Sequence, residues 1–225
     1  MKNITVKKFK TGPAMASFAA GLLRKALRRK RGCLLTAVSG GRTPERLFKE
    51  LASLELPWER TIFFMADERL VPLSSPHSNF GAARRALFSK IAVPKANLRP
   101  VSVRPDGAAA YEKELLRAAG PSGGLDIVFL GLGADGHTAS LFPGAPAPAD
   151  KKRLVSRARA PHGVKPAARV TLTLRALNGA DTLVLMAAGP EKKEMFARAA
   201  RGDKRIPAGR LRPRGKLYLL YSENI

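Results

Sequence analysis

Asp135 and His137 stand two residues apart in "GLGADGHTASLFPG", residues 131–144. On a loop, that spacing lets a carboxylate help orient an imidazole. An imidazole titrates near neutrality, so His137 suits general-base work. The same stretch fits G-x-G-x-x-G through Gly131, Gly133 and Gly136, the pattern with which dinucleotide-binding folds hold a pyrophosphate. Such a fold also needs an acidic residue ~20 positions on, at the end of the next strand, for the ribose hydroxyls. The next candidate strand, "RLVSRARA", has none, and no acid occurs from Lys151 through Ala180. His137, Thr138 and Ser140 follow the last glycine at once. The loop therefore reads as one that presents side chains, and the dinucleotide reading is set aside.

Three other places carry candidate chemistry. In "SGGRTPERLF" (39–48), Ser39, Gly40 and Gly41 leave an apolar run, Thr43 reads as a helix N-cap, and Pro44 fits the first helical turn. Free N–H groups and the positive end of the helix would face an anion there, and Arg42 adds a full charge. The stretch lacks Gly-Lys-Ser/Thr, which excludes a P-loop NTPase. In "MADERLVP" (65–72), Asp67, Glu68 and Arg69 follow an apolar run directly. They read equally as a surface turn with an internal ion pair, or as a carboxylate in a cleft beside an arginine that grips a phosphate. Arg169 opens "RVTLTL" and Lys192 lies in "AAGPEKKEMF". Each follows a loop and could close over an anion, although spacing alone reads them as solvated charges. His77 and His162 lie in loop-like "SSPHSN" and "APHGVK" with no strand leading in, and read as ordinary.

The elements that must position these residues alternate. "ITVKKF", "CLLTAVS", "TIFFMAD", "LDIVFLGLG", "RVTLTL", "DTLVLMAAG" and "KLYLLY" read as strands, with "LDIVFLGLG" central. Continuous apolar runs such as "CLLTAVS" are typical of strands buried on both faces. Helices are expected over 13–30, from Pro44 to about Leu54, over 78–90, over 107–119, and from Pro190 to about Ala200. This order implies an α/β fold: a modified doubly wound, mostly parallel sheet flanked by helices, with the candidate residues at the carboxyl ends of strands. No internal repeat is present. "PGAPAPAD" (143–150) reads as a surface loop, and residues 1–225 as one domain.

At 225 residues and 45% hydrophobic, the chain can bury a sizeable core and is not of disordered composition. A single cysteine, Cys33, excludes an intramolecular disulfide or a multi-cysteine metal site and fits a reducing compartment. "MKNITVKKFK" lacks a signal-like apolar core, and no apolar stretch approaches the ~20 residues of a membrane span. A cytoplasmic, non-membrane protein is expected. The net charge is +24, and residues 151–216 carry eighteen Lys and Arg against four acids. Two readings fit: solvated basic faces, or a field that draws in phosphorylated substrates. Aromatics are only 6% and do not alternate with the basic residues, which argues against nucleic acid as partner. The sequence specifies no oligomeric state.

Taken in order, "AVSGGRTP", "ADERLVP…SPHSNF", "LGLGADGHTASLFPG", "RVTLTLRALNGADTLVLMAAGPEKK" and "IPAGRL" resemble the 6-phosphogluconolactonase family over most of the chain. The resemblance implies the fold shared with glucosamine-6-phosphate isomerases/deaminases and hydrolysis of a small phosphorylated lactone, 6-phospho-D-glucono-1,5-lactone, with no cofactor and no metal. It also implies His137 as the base that activates water, with Asp135 and Asp67 orienting it or contacting substrate. Arg69 and Arg169 would hold the phosphate, near the anion loop Ser39–Thr43 and Lys192. Two positions depart from the family pattern. Arg42 replaces a serine, and Gly209 stands where a serine is usual, so Gly209 is left out of the site. Deaminase relatives typically follow Asp-Gly-His with an apolar residue and "AFNEP". Here "TASLFPG" follows and favours the lactonase. A sugar-phosphate sensor or nucleic-acid binder on the same fold is the other alternative, disfavoured because Asp67, Asp135 and His137 are all present.

Overall fold

The computed structural model describes residues 3–146 and 152–224. In chain order the strands are β1 (Ile4–Phe9), β2 (Leu34–Val38), β3 (Thr61–Met65), β4 (Asp67–Arg69), β5 (Leu98–Arg99), β6 (Ile127–Gly131), β7 (Val155–Arg159), β8 (Ala168–Leu172), β9 (Thr182–Ala188) and β10 (Lys216–Ser222). The helices are α1 (Gly12–Arg29), α2 (Arg42–Ala52), α3 (Asn79–Ala83), α4 (Gly107–Ala119), α5 (Leu174–Asn178) and α6 (Lys193–Ala200). Seven strands form one sheet in the order β1-β10-β9-β6-β2-β3-β5, every neighbouring pair parallel. β2 is buried throughout, as are the first four residues of β6 and the last six of β9. Their unbroken apolar runs reflect cover on both faces. The expected α/β class and the central place of β6 are both observed.

Order and connectivity together create the site. From β2 the chain moves through α2 to β3 on one side. From β6 the parallel sheet continues through β9 and β10 on the other. The loops after β2 and β6 therefore part company at adjacent strands, the switch point where open α/β sheets leave a crevice beyond their carboxyl ends.

A second sheet stands over this end. β4, β8 and β7 pair antiparallel, and the register sets Asp67 opposite Thr171, Glu68 opposite Val170, and Arg69 opposite Arg169. "DER" is thus a short strand and not the surface turn entertained from sequence. Glu68 faces inward, where it accepts from the backbone N–H of Arg69 (2.8 Å), Asn79 (2.7 Å) and Phe80 (2.7 Å) and from Ser78 Oγ (3.1 Å). Burial pushes its carboxyl above the ordinary range, and the three backbone donors pull the other way. Glu68 therefore pins the start of α3 to β4. Below it, Tyr111 of α4 donates to Met65 O at 3.1 Å and braces the end of β3.

Two helix starts differ from expectation. α2 begins at Arg42, with Gly41 as its N-cap at φ +112°, a conformation that favours glycine, and no side chain caps it. Thr43 lies inside the first turn instead of capping it. The helix expected from Pro190 opens as a 3₁₀ turn, Pro190–Lys192, before α6. Residues 143–146 form a largely exposed turn, and the remainder of "PGAPAPAD" lies outside the described residues. No helix among the described residues is long and apolar enough to cross a membrane.

Candidate active site

A cleft of about 210 Å³ opens at the switch point. Ser39, Gly40, Gly41, Arg42 and Thr43 enter it from the β2–α2 turn. Asp67 and Arg69 come from β4, Arg169 from β8, His137 from the loop after β6, and Lys192 from the turn before α6. Asp135 stands just outside the lining and reaches it through His137. The structure thus brings these residues together from five separate chain segments, while Glu68, named beside Asp67 and Arg69, turns inward to α3.

His137 is held by its own loop. Its Nδ1 lies 2.5 Å from Asp135 Oδ1, and its backbone N–H donates to the same oxygen at 3.0 Å. Burial would raise the Asp135 carboxyl, but the hydrogen bonds and charge of His137 outweigh it and hold the group below its ordinary value. A carboxylate at Nδ1 favours the tautomer whose Nε2 lone pair is free. The glycines that mimic a dinucleotide motif serve this geometry. A Cβ on Gly133 would lie 2.1 Å from His137 Nδ1, so the ring needs that hydrogen's space. Gly136 turns at φ +85° against Ile206, and Gly133 N donates to His137 O at 2.9 Å to close the loop. Ala139, in the same loop, also has positive φ, +50°, a local strain of the sort found at functional sites.

Three residues support the site in ways the sequence did not show: Phe142 and Asn79 were not singled out, and Ser140 was named only as part of the loop that presents side chains. The Phe142 ring lies 4.9 Å from the His137 ring and 5.7 Å from the Arg169 guanidinium, touching both base and cation. Ser140 Oγ donates to Asp67 Oδ2 at 2.7 Å, tying the histidine loop to β4. Asn79 Nδ2 donates to Asp67 O at 2.8 Å, and the Asn79 side chain fills the space a Cβ on Gly40 would take. Nothing in local sequence marks these roles, because each depends on a contact between distant segments.

The cleft is strongly cationic. Arg69 and Arg169 are direct cross-strand partners, a like-charge arrangement that destabilises a sheet unless something negative lies between. Burial and Arg69 lower the pKa of Arg169, opposed by Asp67 and Glu68, yet a guanidinium remains charged at any working pH. Burial also pulls the Lys192 ammonium below its ordinary range, with Glu191 opposing and Arg42 adding to the shift. Among the described residues, Ser39 Oγ, Arg69 Nε and Arg169 Nε are buried without a hydrogen-bond partner and belong to cleft-lining residues. Water or an anion is left to satisfy them. The N–H groups of Arg42 and Thr43 begin α2 with no side-chain cap, and Pro44 has none to offer. Arg42 places a cation at this helix start where the related pattern has a hydroxyl.

Gly209, the second departure, has its own reason. A Cβ there would lie 2.1 Å from Asp203 O, so the turn at 203–206 closes onto the glycine and leaves no room for serine.

Residues 10–219 match the family model described as glucosamine-6-phosphate isomerases/6-phosphogluconolactonase. A 6-phosphogluconolactonase of Synechocystis is 37% identical over 206 residues, covering 86% of this chain and 84% of that protein. The crystal structure of a 6-phosphogluconolactonase from Thermotoga maritima superposes with a TM-score of 0.88 at 30% identity, over 98% of this chain and 100% of that one. A monomeric glucosamine-6-phosphate deaminase also superposes, with a TM-score of 0.85 over 97% of each chain, but at 18% identity it bears on the fold alone. With a match across most of its length, the chain belongs to the glucosamine-6-phosphate isomerase/6-phosphogluconolactonase family.

Proposed function

We propose that residues 1–225 form one catalytic domain, a cytoplasmic 6-phosphogluconolactonase that converts 6-phospho-D-glucono-1,5-lactone to 6-phospho-D-gluconate in the oxidative pentose phosphate pathway. The observation that carries this reading is a carboxylate-oriented imidazole sharing one cleft with Arg42, Arg69, Arg169 and Lys192. The lone cysteine supports the assignment to a reducing compartment.

The phosphate binds among the cations, and this remote binding energy holds the lactone carbonyl in register with a water on His137. His137 Nε2 takes a proton from that water as its oxygen bonds to C1. The C1–O5 bond then breaks, and the imidazolium returns the proton to the departing ring oxygen. Asp135 keeps the ring in place and stabilises its charged form between the two steps. Asp67, buried and bonded to Ser140, holds the loop against β4 close to the arginines. The product acid ionises, so each turnover releases one proton.

The deciding experiment is proton release on adding freshly made 6-phosphogluconolactone, corrected for spontaneous hydrolysis, with glucosamine-6-phosphate as a parallel substrate. Acceleration on the lactone alone is expected. Ammonia release from glucosamine-6-phosphate without lactone hydrolysis would replace this reading with the deaminase.

A further inference from the structure

The strands that hold the cleft at their carboxyl ends hold a second cavity, of about 300 Å³, at their amino ends. Leu34 opens β2, Ile127 opens β6, Thr182 opens β9 and Lys216 opens β10, and all four line it. α1 supplies the rest, because its last turns come back to this edge of the sheet. The volume is at the lower end of small-molecule sites and exceeds that of the cleft.

Its lining is of two kinds. Leu22 and Ala26 of α1 join Leu34, Ile127 and the half-buried ring of Tyr218 in an apolar wall. Lys25, Arg29 and Lys216 supply exposed cations around it. The two acids that line it among the described residues are already matched. Asp126 accepts from Lys30 Nζ at 2.7 Å and from Leu35 N at 2.8 Å, and Asp181 pairs with Arg214 at 2.5 Å. Lys25, Arg29 and Lys216 have no acidic partner among the described residues. Three uncompensated cations outweigh the roughly half negative charge of the carboxyl end of α1.

We propose that this cavity binds a nucleoside monophosphate, with the planar base on the apolar wall and Tyr218, and the phosphate on Lys25, Arg29 and Lys216. The lining selects among anions. A plain sugar phosphate, hydroxylated all round, would leave the apolar wall uncovered, whereas a nucleotide's ribose keeps its hydroxyls in solvent. A flat aromatic body asks only for the wall. A polynucleotide would need a groove with successive stacking rings, whereas Tyr218 is the only aromatic residue lining the cavity among the described residues.

Calorimetric titration of the full chain with adenosine 5′-monophosphate tests the proposal, with inorganic phosphate, adenosine and a short oligoadenylate as comparisons. One saturable site is expected, at least about tenfold tighter for the nucleotide than for phosphate or adenosine, since both halves contribute. Lys25→Gln/Arg29→Gln/Lys216→Gln should weaken it by about tenfold or more while leaving lactone hydrolysis unchanged. Arg29→Glu alone should weaken it in the same direction. Saturating 6-phosphogluconate should not displace the nucleotide. Four results would overturn the proposal: no saturable binding, displacement by 6-phosphogluconate, equal affinity for phosphate, or indifference to both variants. Tighter binding of the oligoadenylate per nucleotide would replace the small ligand with a nucleic acid.

Discussion

His137 owes its position to its neighbours. Gly133 leaves the ring its space, Asp135 fixes its tautomer, and Phe142 backs it. His137→Ala is expected to lower kcat by about 10²–10⁴-fold, the range for loss of a general base, with an unchanged circular dichroism spectrum. Near-normal turnover would remove it from the mechanism. Gly133→Ala probes the same ring from outside. Its new methyl cannot coexist with the observed imidazole position, and a displacement of about 1 Å can cost about 10²-fold. The expected signature is a kcat loss with His137 still present and KM little changed. If Gly133→Ala keeps full kcat, the ring position seen here is not the one that works.

At the scale of elements, the β4–β8 register decides what the cleft can hold. It places Arg69 against Arg169, a like-charge pairing that a bound anion between them would relieve. Arg69→Ala should raise KM for the phosphorylated lactone and change activity on unphosphorylated gluconolactone little. Equal losses on both substrates would mean that the arginine shapes the site without reading phosphate. This register was not legible in the sequence. "DER" is three charged residues without periodicity, and it becomes a strand only through β8, about a hundred positions later. β5, with two residues, and α5, with five, escaped for the same reason: too short for a hydrophobic pattern to show. The long apolar runs and the GADGH loop were legible because burial and local spacing set them. Ser140, Asn79 and Phe142 were not, because tertiary contacts alone give them their roles. The turn after α6 supports the same loop, since Ala208 N donates to Gly136 O at 3.1 Å. Asp203 anchors that turn through Arg205 and Arg198, with Nε donors at 2.9 Å each, and these partners hold its carboxyl well below the usual range. A depressed folded value adds stability above the unfolded carboxyl range and loses it as pH falls through the folded one. Asp203→Asn should therefore melt lower than the parent at about pH 7, and the gap should narrow below roughly pH 4. A gap constant down to about pH 3 would show that Asp203 acts by shape and not charge.

Over the whole molecule, two basic groups within the +24 charge lie at opposite ends of the sheet. The cleft cations sit beyond the carboxyl ends of the strands, and the basic carboxyl-terminal turns of α1 lie at the amino ends. β6 alone, from Ile127 to Gly131, sets these ends about 13 Å apart, beyond the ~8 Å Debye length at physiological salt. Replacing Arg24, Lys25, Arg28, Arg29 and Arg31 with glutamine should leave the salt dependence of kcat/KM unchanged. Lys30 is kept, because it neutralises Asp126. A flattened salt slope in that variant would instead assign the α1 charges to long-range capture of substrate.

The facing arginines also turn the assay buffer into a reagent. If the phosphate lies between the two opposed guanidinium groups, as proposed, that site does not require a sugar attached to it. Inorganic phosphate or sulfate can occupy it and must be displaced before the lactone binds. Kinetics in phosphate buffer would then show KM inflated by a factor of one plus the buffer concentration over its inhibition constant, with kcat untouched. A weak apparent affinity measured that way would describe the buffer as much as the enzyme.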